Sequence, residues 1–195
     1  MSNSNYKRYN KPNMGPNAKT QQGYFKVINK EKYIGDPELV IYRSSWEFGF
    51  CKYCDASPSV KRWSSEPISI PYYDRVSKLE ECAKLGLDPN NPSNWEVRNY
   101  NTDFWYEVDT GSGPLEKIFV EIKPSYKLKK PIPCKSDASL KEQRIFVKNA
   151  KEYLTNEAKF AALKEWANQH GSKFYVFTEH TLEKILGRFW YDAKK

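Results

Sequence analysis

Glu121 and Lys123 stand two residues apart in LEKIFVEIK, and Asp103 lies upstream in YNTDFWYEV. In an extended strand residues i and i+2 project from the same face, so Glu121 and Lys123 share a side. An adjacent antiparallel strand can bring Asp103 beside them. Two neighbouring carboxylates suit a hard divalent cation such as Mg²⁺ far better than they suit an apolar core. A metal held there would activate a water and neutralise charge on phosphoryl oxygens, which is what phosphodiester hydrolysis requires. A nearby lysine positions or activates that water and stabilises the transition state. Spacing alone leaves a plainer reading open, in which acid and lysine decorate a solvent-facing strand.

Glu47 is the candidate third acid. Ser44-x-x-Glu47 also matches a capping box, in which the glutamate returns a hydrogen bond to the Ser44 backbone. The pattern by itself favours capping. Glu107 and Asp109 are weaker substitutes should Asp103 face away from the site.

These residues need elements to hold them. Residues 24–28 read as a short strand or an ordered approach segment. Ser44 opens a helix whose core face is Trp46, Phe50, Tyr53 and Cys54. Residues 60–73 read as one or two strands, broken at Pro67 and Pro71. An excursion over about 74–99 contains a short amphipathic helix and an Asn/Pro loop. Residues 100–108 and 115–123 form a hairpin. On the second strand Ile118, Val120 and Ile122 pack the core, while Phe119, Glu121 and Lys123 take the other face. A Lys/Pro-rich loop precedes a long helix over 143–169, stopped by Gly171. A strand at 173–178 and a helix at 179–187 follow. The expectation is an α/β fold: a mixed sheet flanked by helices, in a single domain over 23–195 behind a basic, disordered arm at 1–22.

The formal charge is +8 over 195 residues, which favours a polyanionic partner, most commonly nucleic acid. The basic residues are clustered. Residues 1–22 carry Lys7, Arg8, Lys11 and Lys19 with no acid, and residues 123–151 carry nine basic side chains against Asp137 and Glu142. Within the second cluster Lys127, Lys129, Lys130, Lys135 and Arg144 are the candidate DNA contacts, and this cluster begins at Lys123 itself. A solvated tail and loop would show the same charge. No window is long and apolar enough to span a membrane, and the N-terminus lacks the apolar stretch of a secretory signal. Cys51-x-x-Cys54 has no partner pair for zinc, because Cys82 and Cys134 are isolated. The same spacing on a helix fits packed thiols.

The segments IYRSSWEFGF, VKRWSSEPISIPYY, the Asp103 strand and VEIKP, in this order, resemble the head-completion nuclease family of tailed phages. That family is related to the TnsA-type transposase endonucleases, within the PD-(D/E)xK nuclease superfamily. The resemblance covers roughly residues 24–180 apart from the excursion. It implies a restriction-endonuclease-like fold and a Mg²⁺ site, with Mn²⁺ as substitute, in which Asp103, Glu121 and Glu47 hold the metal and Lys123 is the catalytic lysine. It therefore assigns Glu47 to the site rather than to the helix cap. The implied substrate is DNA, the implied setting the virion or the infected host cytoplasm, and portal or neck proteins are possible partners. One departure is Thr102, where the family usually has proline before the aspartate. Another is the excursion, which leads directly into the Asp103 strand, where a one-residue slip would turn Asp103 away.

Two functions from different classes follow. One is an active metal-dependent endonuclease, which the ordered acids and Lys123 favour. The other is a virion structural protein that uses the same fold to contact DNA or neighbouring subunits, which the excursion and basic arm suit. A non-catalytic nucleic-acid binder outside phage biology explains the basic segments but not the acids.

Overall fold

Aromatic and β-branched residues crowd the segments that pair into sheets, as a pleated, half-buried surface favours. In chain order the strands are β1 (Gly23–Tyr24), β2 (Ile41–Tyr42), β3 (Val60–Ser65), β4 (Ser69–Asp74), β5 (Glu96–Asn101), β6 (Phe104–Val108), β7 (Glu116–Ile122) and β8 (Lys173–Phe177). The helices are α1 (Ser45–Ala56), α2 (Leu79–Leu85), α3 (Leu140–Gln169) and α4 (Glu179–Leu186). The computed structural model describes Pro12 and residues 22–187. The arm expected over 1–22 thus lies, but for Pro12 and Gln22, outside the described residues. Among the described residues no helix is long and apolar enough to cross a membrane.

The chain divides into two compact units. The described residues of the first are Pro12, 22–69, 101–123 and 167–187. Its centre is a four-stranded mixed sheet in the order β3-β6-β7-β8. β3 and β7 both run antiparallel to β6, and β8 runs parallel to β7. The expected mixed sheet with helices is therefore present. Phe50 of α1 anchors its core, with its ring centroid 4.9 Å from Phe104, 5.6 Å from Tyr106 and 5.9 Å from Phe177. Such edge-on aromatic pairs favour one packing arrangement beyond simple area burial. Val60, Trp63, Val120, Leu182 and Cys51 complete this interior, each fully enclosed. Cys51 and Cys54 are buried in that core and form no disulfide.

The second unit comprises residues 70–100 and 124–166. It holds the paired β4 and β5, the short helix α2 and most of α3. Asp74 is only 2% exposed, and it organises the turn after β4 by accepting the backbone N–H groups of Val76 and Ser77. Arg98 pairs with its other oxygen at 3.2 Å. The Lys159 ammonium lies 5.6 Å from the Tyr72 ring and 5.4 Å from that of Tyr100.

Three boundaries differ from the sequence reading. Of the segment 24–28, read as a short strand or an approach segment, only Tyr24 lies in a strand, Gly23–Tyr24, beyond which the Phe25 N–H donates to the Val40 carbonyl at 2.8 Å. The long helix begins at Leu140 rather than 143, because Ser139 and Glu142 form a capping box there. Ser139 Oγ accepts the Glu142 N–H at 3.3 Å, and the Glu142 carboxylate accepts the Ser139 N–H at 2.8 Å. The strand expected over 100–108 is broken at Thr102 and Asp103, where the chain leaves β4 as partner and joins β3 and β7.

Candidate active site

β7 carries two of the candidate residues, and its pairing explains their placement. Its ladder with β6 ends at Phe104 opposite Val120. Beyond that pair Thr102 donates its N–H to Ile68 instead, at 3.2 Å. The Asp103 side chain takes the next N–H of β7, with Oδ2 accepting from Ile122 at 2.8 Å. On the far side of β7 the Lys123 N–H donates to the Phe177 carbonyl at 3.0 Å. Asp103 is thus fixed beside the Glu121–Lys123 stretch by its own carboxylate. Glu107 is engaged elsewhere, between Arg62 and Lys117, and Asp109 pairs with Lys61.

Glu121 and Lys123 do share a face, with Nζ 2.9 Å from Oε1. That face is not the solvent-facing one of the plain reading: Glu121 is 2% exposed and Phe119 4%. An enclosed carboxylate needs a compensating charge, and Lys123 supplies one.

Glu47 arrives from the first turn of α1. Ser44 is extended at φ −153° and its Oγ accepts the Glu47 N–H at 3.2 Å, so the helix cap expected from the sequence forms. The returning bond goes one residue further than a capping box has it. Glu47 Oε2 accepts the Arg43 N–H at 2.7 Å, and Oε1 accepts the Ser44 hydroxyl at 3.0 Å. Capping and a place in the acidic group are therefore compatible in one residue. Burial pushes the Glu47 carboxyl up to about 7, opposed by the Arg43 and Ser44 bonds; the Glu121 charge adds to the rise and Lys123 opposes it. Burial likewise holds Asp103 well above the usual carboxylate range, with the charges of Glu121 and Glu47 reinforcing it. Lys123 and the Ile122 N–H oppose that rise. Burial alone would depress the Lys123 ammonium, but Glu121, Asp103 and Glu47 outweigh it and hold the group above its ordinary value. Lys123 is thus an ammonium placed among three acids.

This donor set fits a divalent cation. Three carboxylates lie near a single ammonium, and all the donors are hard oxygens. Among the described residues no three such side chains are already gathered closely enough to hold an ion, so the fit is one of charge and donor chemistry.

Arg43 and Glu66 carry no signal of their role in the sequence. Glu66 Oε1 accepts the Arg43 Nε–H at 2.6 Å, and the Glu66 N–H donates to the Asp103 carbonyl at 2.8 Å. Glu66 alone among the described non-glycine residues has a left-handed backbone, at φ 46°. It therefore ties the segment before Glu47 to the segment that carries Asp103. Its Ser-Ser-Glu-Pro setting marks a turn in the sequence but says nothing of a contact 23 residues away.

The proposed DNA contacts belong to the second unit. Lys129, Lys130, Lys135 and Arg144 are exposed, while Lys127 is ion-paired with Glu152.

Comparison with known proteins agrees with these elements. The chain is 29% identical over 158 residues to the head completion nuclease of Enterobacteria phage T4, an alignment covering 80% of this chain and 90% of that protein. The model of the TnsA-like endonuclease N-terminal family matches residues 57–179, a stretch that includes Asp103, Glu121 and Lys123 and begins after Glu47. With the mixed sheet and the acids beside Lys123, this match over more than half of the chain shows that the protein belongs to the TnsA-like endonuclease family.

Proposed function

We propose that this chain is a Mg²⁺-dependent DNA endonuclease that acts as a phage head is completed. The observation that carries this reading is the set of three carboxylates, Glu47, Asp103 and Glu121, around one half-buried ammonium, Lys123. Asp103, Glu121 and Glu47 would hold the metal, with Mn²⁺ as an alternative ion. When bound, that ion supplies an activated water and Lewis-acid relief of charge on the phosphoryl group.

The protein's own residues set the stage for this. The Ile122 N–H orients Asp103 and leaves its Oδ1 outside that bond. Arg43 and Ser44 orient Glu47. Lys123, held protonated, offers its charge to the phosphoryl oxygens as they become more negative. The phage relative, a head completion nuclease, suggests the setting. Lys129, Lys130, Lys135 and Arg144 give a surface suited to phosphates, with Lys127 beside them.

The test is cleavage of plasmid DNA by the purified protein with Mg²⁺ or Mn²⁺, set against Lys123→Ala and Asp103→Ala. Wild-type cleavage with both variants inactive supports the proposal. If all three proteins are equally inert, the enzyme reading fails. If all three cut equally, the residue assignment is wrong.

A second reading is favoured by one observation: the second unit leaves large aliphatics exposed, Ile132 at 87% and Leu140 at 71%. In this reading the chain is a virion protein of the portal or neck region, and the fold serves contact with DNA or neighbouring subunits. Complementation of a phage lacking the protein discriminates. Rescue by Lys123→Ala equal to wild type would make the contact role the essential one.

A further inference from the structure

The second unit has a cleft of about 170 Å³ that the acidic site does not explain. Its floor and walls include Tyr126, Lys127, Lys129, Lys130, Glu152 and Tyr153. Tyr126 is 65% exposed, a large aromatic surface that folding leaves uncovered. The residue sits in a short 3-10 turn over Ser125–Leu128, braced by the Lys127 N–H donating to the Pro124 carbonyl at 2.9 Å. The ring is therefore presented by a shaped turn. The Lys127 ammonium lies over the ring, 5.5 Å from its centroid, and pairs with Glu152. That pairing neutralises the cleft's acid and leaves Lys129 and Lys130, both exposed, as its net charge.

An exposed aromatic ring flanked by cations is the arrangement that takes a base by stacking and the adjoining phosphates by charge. The volume is below that of a typical cleft for a drug-sized ligand, so it suits one ring system rather than an extended molecule. A base inside a duplex is already stacked on its neighbours and cannot use the ring. We propose that this cleft binds an unpaired nucleobase of a single-stranded or frayed DNA segment, with Tyr126 as the stacking surface and Lys129 and Lys130 on the flanking phosphates. The inference rests on DNA being the substrate, and deepens that reading: it assigns a preference for DNA with unpaired bases.

The test measures affinity of the full-length protein, in EDTA so that nothing is cut, for a short oligo-dT strand, for an abasic strand of the same length, and for a duplex. Tyr126→Leu should weaken oligo-dT binding on the order of tenfold, the loss expected for one stacked base. It should leave abasic-strand and duplex binding unchanged, and Tyr126→Phe should bind like wild type. If Tyr126→Leu weakens oligo-dT and abasic strand equally, or neither, the stacking assignment is overturned while DNA as substrate stands. If the wild-type protein binds none of the three, the DNA reading itself fails and this inference with it.

Discussion

Glu66 donates its backbone N–H to the carbonyl of Asp103 across 2.8 Å while its carboxylate holds the Arg43 guanidinium at 2.6 Å. The residue does this at φ 46°, a conformation that costs a non-glycine residue free energy and persists only where its surroundings enforce it. Because the Arg43 N–H in turn holds Glu47, one residue links the supports of two of the three acids.

That link predicts an asymmetry. The Glu66 side chain is 10% exposed and that of Arg43 34%. Arg43→Ala strands the more enclosed charge, so it should destabilise the protein more than Glu66→Ala does, each by roughly 1–3 kcal/mol as for unpaired buried polar groups. The double variant should cost less than the sum. Denaturant unfolding of the three proteins checks this. Both single variants should also lower kcat more than they raise KM, since they disturb acids that act on the reacting phosphate rather than on the distant DNA.

The metal-free protein should lose stability as pH rises. Glu47 titrates in the fold at about 7 and Asp103 well above its ordinary value, whereas unfolded carboxyls titrate at about 4 to 4.5. The folded chain thus holds protons that the unfolded chain has released. This contribution is fully present below the unfolded value and is lost as pH climbs through the folded one. In EDTA the melting temperature should fall between about pH 5 and about pH 8, and Glu47→Gln should flatten the slope. Added Mg²⁺ should stabilise more at the higher pH, where the carboxylates are free of protons. Melting curves with and without the ion decide it.

Thr102 is wholly buried and its hydroxyl oxygen has no hydrogen-bond partner. Val preserves the shape and the backbone N–H that reaches Ile68. Thr102→Val should therefore stabilise the protein by about 1 kcal/mol, read from chemical denaturation, with cleavage unchanged. Thr102→Pro should instead destabilise it, because it removes that N–H.

The two exposed cations of the Tyr126 cleft should govern the salt dependence of DNA binding. Replacing Lys129 and Lys130 with Gln should reduce the slope of log affinity against log salt for duplex DNA by about two, near one unit for each phosphate left without its cation. Lys127→Gln should change it less, since Glu152 already neutralises that charge. Fluorescence-anisotropy titrations across a salt series measure both. An unchanged slope removes this segment from the binding surface.

The features legible in the chain before folding are local. The two-residue spacing of Glu121 and Lys123 places them on one face of any strand, and a 2.9 Å ion pair is the result. Ser44-x-x-Glu47 dictates a helix start wherever that helix packs. Asp103 could not be placed in the same way. It lies where β5 ends and β6 begins, and its orientation depends on Thr102 leaving for Ile68 and on the Ile122 N–H being free to receive a carboxylate. The burial of Glu121 was equally beyond pattern reading, because alternation distinguishes two faces but does not tell that both are covered. Tertiary structure alone also recruited Glu66 and Arg43, which are 23 residues apart and meet only once β3 and the start of α1 have packed. Periodicity and capping act within a few residues of chain. The enclosure that shifts Glu47 and Asp103, and so sets the charge of the site, comes from segments distant in sequence excluding water together.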